Sequence, residues 1–189
     1  MGSSTSREDS DELGLEESFV HDLKENTHFK SKEIREWHEK FKKDFPSGHI
    51  RRHEFRKMYS ELTAKDSNEL ADYVFDAYDQ DRNGRIDFKE FMTTLSVTCR
   101  GSTEERLYWV FDMYDIDGTG ALTRDEVIKV LKAVFRMKGK EAAEEKACVQ
   151  ADSIFQKLDK DKDGLISKDE FCNVASKEVD VSKIFNIAS

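Results

Sequence analysis

Oxygen-bearing side chains recur in register in three twelve-residue segments: DQDRNGRIDFKE from Asp79 to Glu90, DIDGTGALTRDE from Asp115 to Glu126, and DKDKDGLISKDE from Asp159 to Glu170. Each has Asp at positions one and three, a further oxygen at five, glycine at six and glutamate at twelve. Such a donor set suits a hard cation. Ca²⁺ takes about six to eight oxygens in flexible geometry, from side chains at one, three and five, a carbonyl at seven and both oxygens of the final glutamate. Glycine at six permits the sharp turn. The first segment therefore offers Asp79, Asp81, Asn83, the carbonyl of Arg85, and Glu90. The second offers Asp115, Asp117, Thr119, the carbonyl of Ala121, and Glu126; the third offers Asp159, Asp161, Asp163, the carbonyl of Leu165, and Glu170. Position nine is Asp87, Thr123 or Ser167, each able to ligate through water. One such match reads equally well as an acidic surface turn, but three in register do not. These are EF-hand loops, and they predict three bound Ca²⁺, with Mg²⁺ as the occupant at low Ca²⁺.

The segments around the loops must hold them, and their apolar residues repeat at helical spacing. Val74, Phe75 and Tyr78 precede the first loop, and Phe88, Phe91 and Leu95 follow it. Leu107, Val110, Phe111 and Tyr114 precede the second, with Val127, Val130, Leu131 and Val134 after it; Ile154, Phe155 and Leu158 precede the third, with Phe171 and Val174 after it. Position eight is apolar in every loop (Ile86, Leu122, Ile166), where two loops can share a short strand. EF-hands pack in pairs, and a fourth, disabled loop stands upstream. With Gly48 at position six, Lys43 falls at one, Phe45 at three, Pro46 at four, Ser47 at five and Glu54 at twelve, so a cation and an aromatic replace two oxygens. Trp37, Phe41, Phe55, Met58, Tyr59 and Leu62 keep the helical pattern on either side, which makes this hand a structural partner of the next. The predicted fold is all-α, with four helix-loop-helix units paired into two lobes. Residues 1–26 form a flexible arm and the start of the first helix, 27–98 the amino-terminal lobe, 99–103 a linker, 104–176 the carboxy-terminal lobe and 177–189 a tail.

Charged residues make up 38% of the 189, and the formal charge is −9, which disfavours nucleic acid and favours a cationic partner. The odd count of cysteines (Cys99, Cys148, Cys172) lacks zinc-site spacing and suggests neither a disulfide framework nor an oxidising compartment. No run approaches the roughly 18 apolar residues of a spanning helix, and the amino terminus lacks the apolar region of a secretory signal. The expected location is cytoplasmic, with reversible attachment to a membrane surface. His49 and His53 straddle a bent loop without further ligands, and surface histidines are the expectation for all five. No phosphate loop, nucleophile motif or zinc motif appears, so an enzyme is not expected. The 13 Phe, 5 Tyr and 2 Trp exceed what so polar a chain needs.

The segment KKDFPSG from Lys42 to Gly48, the run IDFKEFMTTLSVTCRG from Ile86 to Gly101, and YDIDGTG from Tyr114 to Gly120 resemble the neuronal calcium sensor family, over about residues 27–174. The resemblance implies a compact pair of lobes, Ca²⁺-dependent exposure of an apolar groove, regulation of membrane-associated targets and an acylated amino terminus. Met1-Gly2-Ser3-Ser4-Thr5-Ser6 fits the myristoylation pattern, with Gly2 as acceptor. The chain departs from the family in following Arg7 with Glu8, Asp9, Asp11 and Glu12 where basic residues are common. One myristoyl chain binds membranes at only about 10⁴ M⁻¹, so Lys24, Lys30, Lys32, Lys40, Lys42 and Lys43 are the expected second signal, or else a solvated face. By the same resemblance Trp37, Phe41, Phe55, Met58, Tyr59, Leu62, Phe88, Phe91 and Leu95 line a groove for an amphipathic target helix, while Phe75 is core. Gly48 and Gly101 fall at the family's hinge and inter-lobe swivel. Two other readings use the same loops: a Ca²⁺ buffer, whose hands scarcely open, and a calcineurin B-like phosphatase subunit, which usually keeps all four loops competent.

Overall fold

A computed structural model describes residues 15–63 and 67–175. Gly2, the acidic stretch from Glu8 to Glu12 and the tail 177–189 lie outside the described residues. The helices expected on either side of each loop form. In the amino-terminal half, α1 (Glu17–Asn26) and α2 (Ser31–Asp44) lead into β1 (His49–Arg51) and α3 (Arg52–Thr63). The second hand follows with α4 (Asn68–Tyr78), β2 (Arg85–Asp87) and α5 (Phe88–Arg100). The third comprises α6 (Thr103–Tyr114), β3 (Ala121–Thr123) and α7 (Arg124–Met137), and the fourth α8 (Ala143–Leu158), β4 (Leu165–Ser167) and α9 (Lys168–Ala175).

Local chemistry sets both edges of each loop. The first aspartate of each active loop is the last residue the entering helix can cap: the amides of Asp79, Asp115 and Asp159 donate to the carbonyls of Phe75, Phe111 and Phe155. Exiting helices start at reciprocal caps, with Asp87 bonded to the Glu90 amide and Thr123 to the Glu126 amide. Between the edges, the loops pair as two-stranded antiparallel ribbons. Ile50 faces Ile86 and Leu122 faces Ile166, and all four side chains are fully buried. Thus the disabled first loop, which lacks two of the oxygens, still supplies the strand that pairs with its neighbour.

The lobe boundary is shorter than the expected 99–103 linker. Cys99 and Arg100 belong to α5 and Thr103 to α6, leaving Gly101 and Ser102 between them. The cause is hydrogen bonding on both sides: the Gly101 amide continues the α5 ladder to Val97, while Ser102 and Glu105 cap α6 reciprocally. Gly101 is buried, and a Cβ there would stand 2.4 Å from the Val97 carbonyl oxygen, so close approach demands this glycine. Across the boundary α4 packs on α6 and α7, and α5 on α6. Arg136 of α7 pairs with Glu69 of α4 at 2.7 Å.

Two expectations need correction. The amino-terminal lobe does not open at Thr27, because α1 buries Val20 and Leu23 against α2 and α5 and ties itself down through Lys89–Asp22 at 2.6 Å and an Arg35–Glu17 pair. Nor are all histidines at the surface. His38 sits on the inner face of α2, 9% exposed, with its ring edge-on to Phe88 at 4.9 Å. Burial, with Lys42 adding to it, holds the His38 imidazole below its ordinary pKa. The 3.6-residue period of Ile34, His38 and Phe41 on one face was the available signal.

Candidate metal centres

Each active loop gathers its acidic groups. Carboxylate oxygens of Asp79, Asp81 and Glu90 all lie within 4.8 Å of one another, as do those of Asp115, Asp117 and Glu126, and of Asp159, Asp161 and Glu170. Asn83, Thr119 and Asp163 occupy position five, and Arg85, Ala121 and Leu165 open the strands whose backbone runs past the centre. Like charges so close repel unless a cation lies among them.

Backbone amides hold the carboxylates in place. Asp79 accepts from the amides of Asn83 at 3.0 Å and Gly84 at 2.8 Å, and Asp115 accepts from those of Thr119 at 3.0 Å and Gly120 at 2.9 Å. Glu90 reaches back over its loop to the amides of Gln80 at 2.9 Å and Asp87 at 3.0 Å. Glu126 repeats this with Ile116 at 3.0 Å and Thr123 at 2.8 Å, and Glu170 with Lys160 and Ser167 at 2.9 Å each. Position nine does more than the sequence reading assigned it. The hydroxyls of Thr123 and Ser167 donate to their position-twelve glutamates at 2.6 and 2.7 Å, orienting that carboxylate.

The three centres differ electrostatically. Asp79, Glu90, Asp115 and Glu126 are buried, whereas Asp159 and Glu170 are half-buried. Burial pushes the Asp79 carboxyl up, opposed by the Gly84 and Asn83 amides, and burial also raises Glu90. Glu170 moves the other way, lowered by the Ser167 hydroxyl and amide. In the fourth hand Asp159 Oδ1 is buried without a hydrogen-bond partner. An all-oxygen, mostly anionic donor set with an unsatisfied buried oxygen fits a hard divalent cation.

The first hand shows what two lost oxygens do. With Lys43 at position one, the Gly48 amide turns instead to the Phe45 carbonyl at 2.9 Å. Only the exit of the loop keeps the common pattern, Glu54 accepting from the Arg51 amide at 2.8 Å. Among the described residues no acidic group forms there.

The expected groove residues occupy one aromatic array in the amino-terminal lobe. Phe41, Phe55 and Phe88 are buried in the core; Trp37, Met58, Tyr59, Phe91 and Leu95 are half-buried against it; Leu62, near the end of α3, is 78% exposed. Rings link α2 to α5 through Trp37 and Phe91 at 5.9 Å and Phe41 and Phe91 at 5.4 Å. A second chain runs from Phe91 to Tyr78 at 6.5 Å and on to Phe55 at 5.6 Å. Phe75 is fully buried. The six lysines expected to face a membrane are all exposed.

Comparison with known proteins agrees with the geometry. An EF-hand domain pair profile matches residues 46–98 and another matches 104–176. Neuronal calcium sensor 1 of Lymnaea stagnalis is 39% identical over 164 residues, covering 84% of this chain and 85% of the relative. Its namesake of Aplysia californica matches equally, at 39% over the same lengths. The guanylyl cyclase inhibitory protein of Lithobates pipiens is 38% identical over 144 residues, 74% of this chain and 70% of its own. Paired EF-hands, with acidic centres in three of the four loops, and these relatives over most of its length make this chain a member of the neuronal calcium sensor family, Ca²⁺-binding regulators rather than enzymes.

Proposed function

We propose that this protein is a Ca²⁺ sensor that binds three Ca²⁺, opens an apolar groove in its amino-terminal lobe and there receives an amphipathic helix of a target protein. The carrying observation is the asymmetry between hands: three loops gather acidic oxygens within 4.8 Å, while the first keeps only the pairing strand and an aromatic wall. A lobe with one active hand is poised to move. Glu90 is bonded both to its own loop and to the start of α5, so closing it on an ion pulls α5, and with it Phe88, Phe91 and Leu95, relative to α2. Separation of α2 from α5 would free Trp37, Phe41 and Phe91 for a helix carrying apolar anchors and, given the −9 charge, basic flanks. The name of the Lithobates pipiens relative, an inhibitory protein of guanylyl cyclase, supports a protein target without identifying it.

The shift demands differential affinity. Moving a population from 1:99 to 99:1 takes about 5.5 kcal/mol, under about 2 kcal/mol for each of three sites. Acylation at Gly2 would add reversible membrane attachment, weakened on anionic lipid by the acidic stretch that follows. The test combines binding of an apolar dye and a basic amphipathic peptide with liposome sedimentation, for acylated and unacylated protein, in Ca²⁺ and in chelator. Dye and peptide signals that rise with Ca²⁺ support the sensor. Equal signals in every condition would make the protein a buffer.

A further inference from the structure

The fourth residue of every active loop turns through left-handed backbone: Arg82 at φ 56°, Gly118 at 69° and Lys162 at 63°. Such a conformation is costly for a side chain other than glycine, so its recurrence marks a loop geometry enforced by the bonds on either side. In the second hand those neighbours are Asp81 and Asn83, two of the proposed ligands. Between them the Arg82 side chain crosses the lobe boundary and its Nη1 donates to the Asp117 carbonyl at 3.3 Å. Asp117 is the position-three ligand of the third hand. The adjoining Gly118 leaves the space this needs, since a Cβ there would stand 2.2 Å from Arg82 Nη2. The only side chain among these position-four residues that spans to another loop thus meets the only one of the three that has none.

We propose that Arg82 is a positioning residue that couples the second and third Ca²⁺ centres across the two lobes. The inference rests on the reading of these loops as Ca²⁺ sites. When Asp81 and Asn83 close on an ion, the backbone of Arg82 between them loses freedom. Its guanidinium is then held in fewer conformations and fixes the Asp117 peptide, so the third loop has less ordering left to do when its own ligands converge. Filling the second hand therefore tightens the third, and linkage requires the third to tighten the second by the same factor. The positive charge has a separate effect: lying beside Asp117 whatever the state of the second hand, it lowers the third hand's absolute affinity. Coupling and charge can thus be told apart.

Site-resolved NMR titration with Ca²⁺, following the Gly84 and Gly120 amides, tests this in the full chain with and without Glu90→Gln. The third hand of the parent is expected to bind about three- to tenfold more tightly when the second hand is intact, the worth of one net hydrogen bond. Arg82→Gln should reduce that ratio to about one while raising the third hand's absolute affinity. Gly118→Asn, which tolerates the left-handed backbone and fills the seat, should also reduce the ratio to about one. Combined with Arg82→Gln it should cause no further loss. In the metal-free protein both substitutions should shift the amides from Asp117 to Thr119. A parent ratio of one, or a ratio that survives Arg82→Gln, overturns the inference while the sensor reading stands. Absence of Ca²⁺ binding at both hands overturns both.

Discussion

At the scale of single residues, the position-twelve glutamates carry the most specific consequences. Each bonds to amides at both ends of its loop and has two oxygens to offer an ion, so glutamine keeps the shape and removes the charge. Calorimetry should count three Ca²⁺ on the parent and two on each of Glu90→Gln, Glu126→Gln and Glu170→Gln, the parent's formal charge moving from −9 to about −3 on saturation. A count of four would restore the first hand to function despite Lys43. The third hand, with Asp115, Asp117 and Glu126 but no acid at positions five or nine, is expected to fill last in a site-resolved titration. His38 makes a different prediction. Its depressed pKa means that protonation is harder in the folded chain than in the unfolded one, where the value is about 6.5. Its contribution to stability is complete above that value and is lost as pH falls through the folded pKa, with Glu39 opposing the shift. Denaturant unfolding of His38→Leu should therefore show a smaller loss between about pH 7.5 and about pH 5.5 than the parent shows.

At the scale of elements, the strands that join the loops pair a hand without an acidic group with one that gathers three carboxylates. Ile50 of β1 faces Ile86 of β2, both fully buried, and on either side of this pair His49 faces Asp87 and Arg51 faces Arg85. The Arg85 carbonyl is a proposed ligand, so its strand must keep register with β1. Ile50→Ala leaves a cavity in this ribbon and should destabilise the metal-free protein by about 2–5 kcal/mol in denaturant unfolding. The same substitution should weaken Ca²⁺ binding at the second hand while the third and fourth are unchanged, read from the Gly84, Gly120 and Gly164 amides. Unchanged second-hand affinity would reduce the first hand to a spacer. Element ends were the least legible feature of the sequence, as at Gly101, where a helix ladder on one side and a reciprocal cap on the other shortened the expected linker to two residues.

At the scale of the whole molecule, the lobes meet through α4, α5, α6 and α7 and through ion pairs such as Glu69–Arg136. Exposed pairs of this kind are each worth little, so the geometry depends more on packing at Gly101. Gly101→Ala places a methyl 2.4 Å from the Val97 carbonyl, a backbone atom that cannot swing aside. Relief requires α5 and α6 to change their angle, at an expected cost of about 1–3 kcal/mol in stability. Small-angle scattering should report an altered arrangement of the lobes, whereas an unchanged profile and stability would show that the boundary yields freely.

The three acidic loops and the all-α paired fold were legible in the chain itself, because an EF-hand loop is local: twelve consecutive residues carry its candidate donors, and position in the loop fixes which of them can converge. Residues 17–26 gave no such signal, since α1 is held by Val20 and Leu23 packing on helices distant in sequence rather than by a motif of its own. The burial of His38 beneath Phe88 was likewise a matter of which helix faces which. So was the division of the aromatics into buried Phe41, Phe55 and Phe88 and half-buried Trp37, Tyr59 and Phe91. The Arg82–Asp117 contact joins residues 35 apart in two separate lobes. Pattern within a loop specifies its donors, but only the packing of helices, which depends on shape over the whole chain, decides which loops touch.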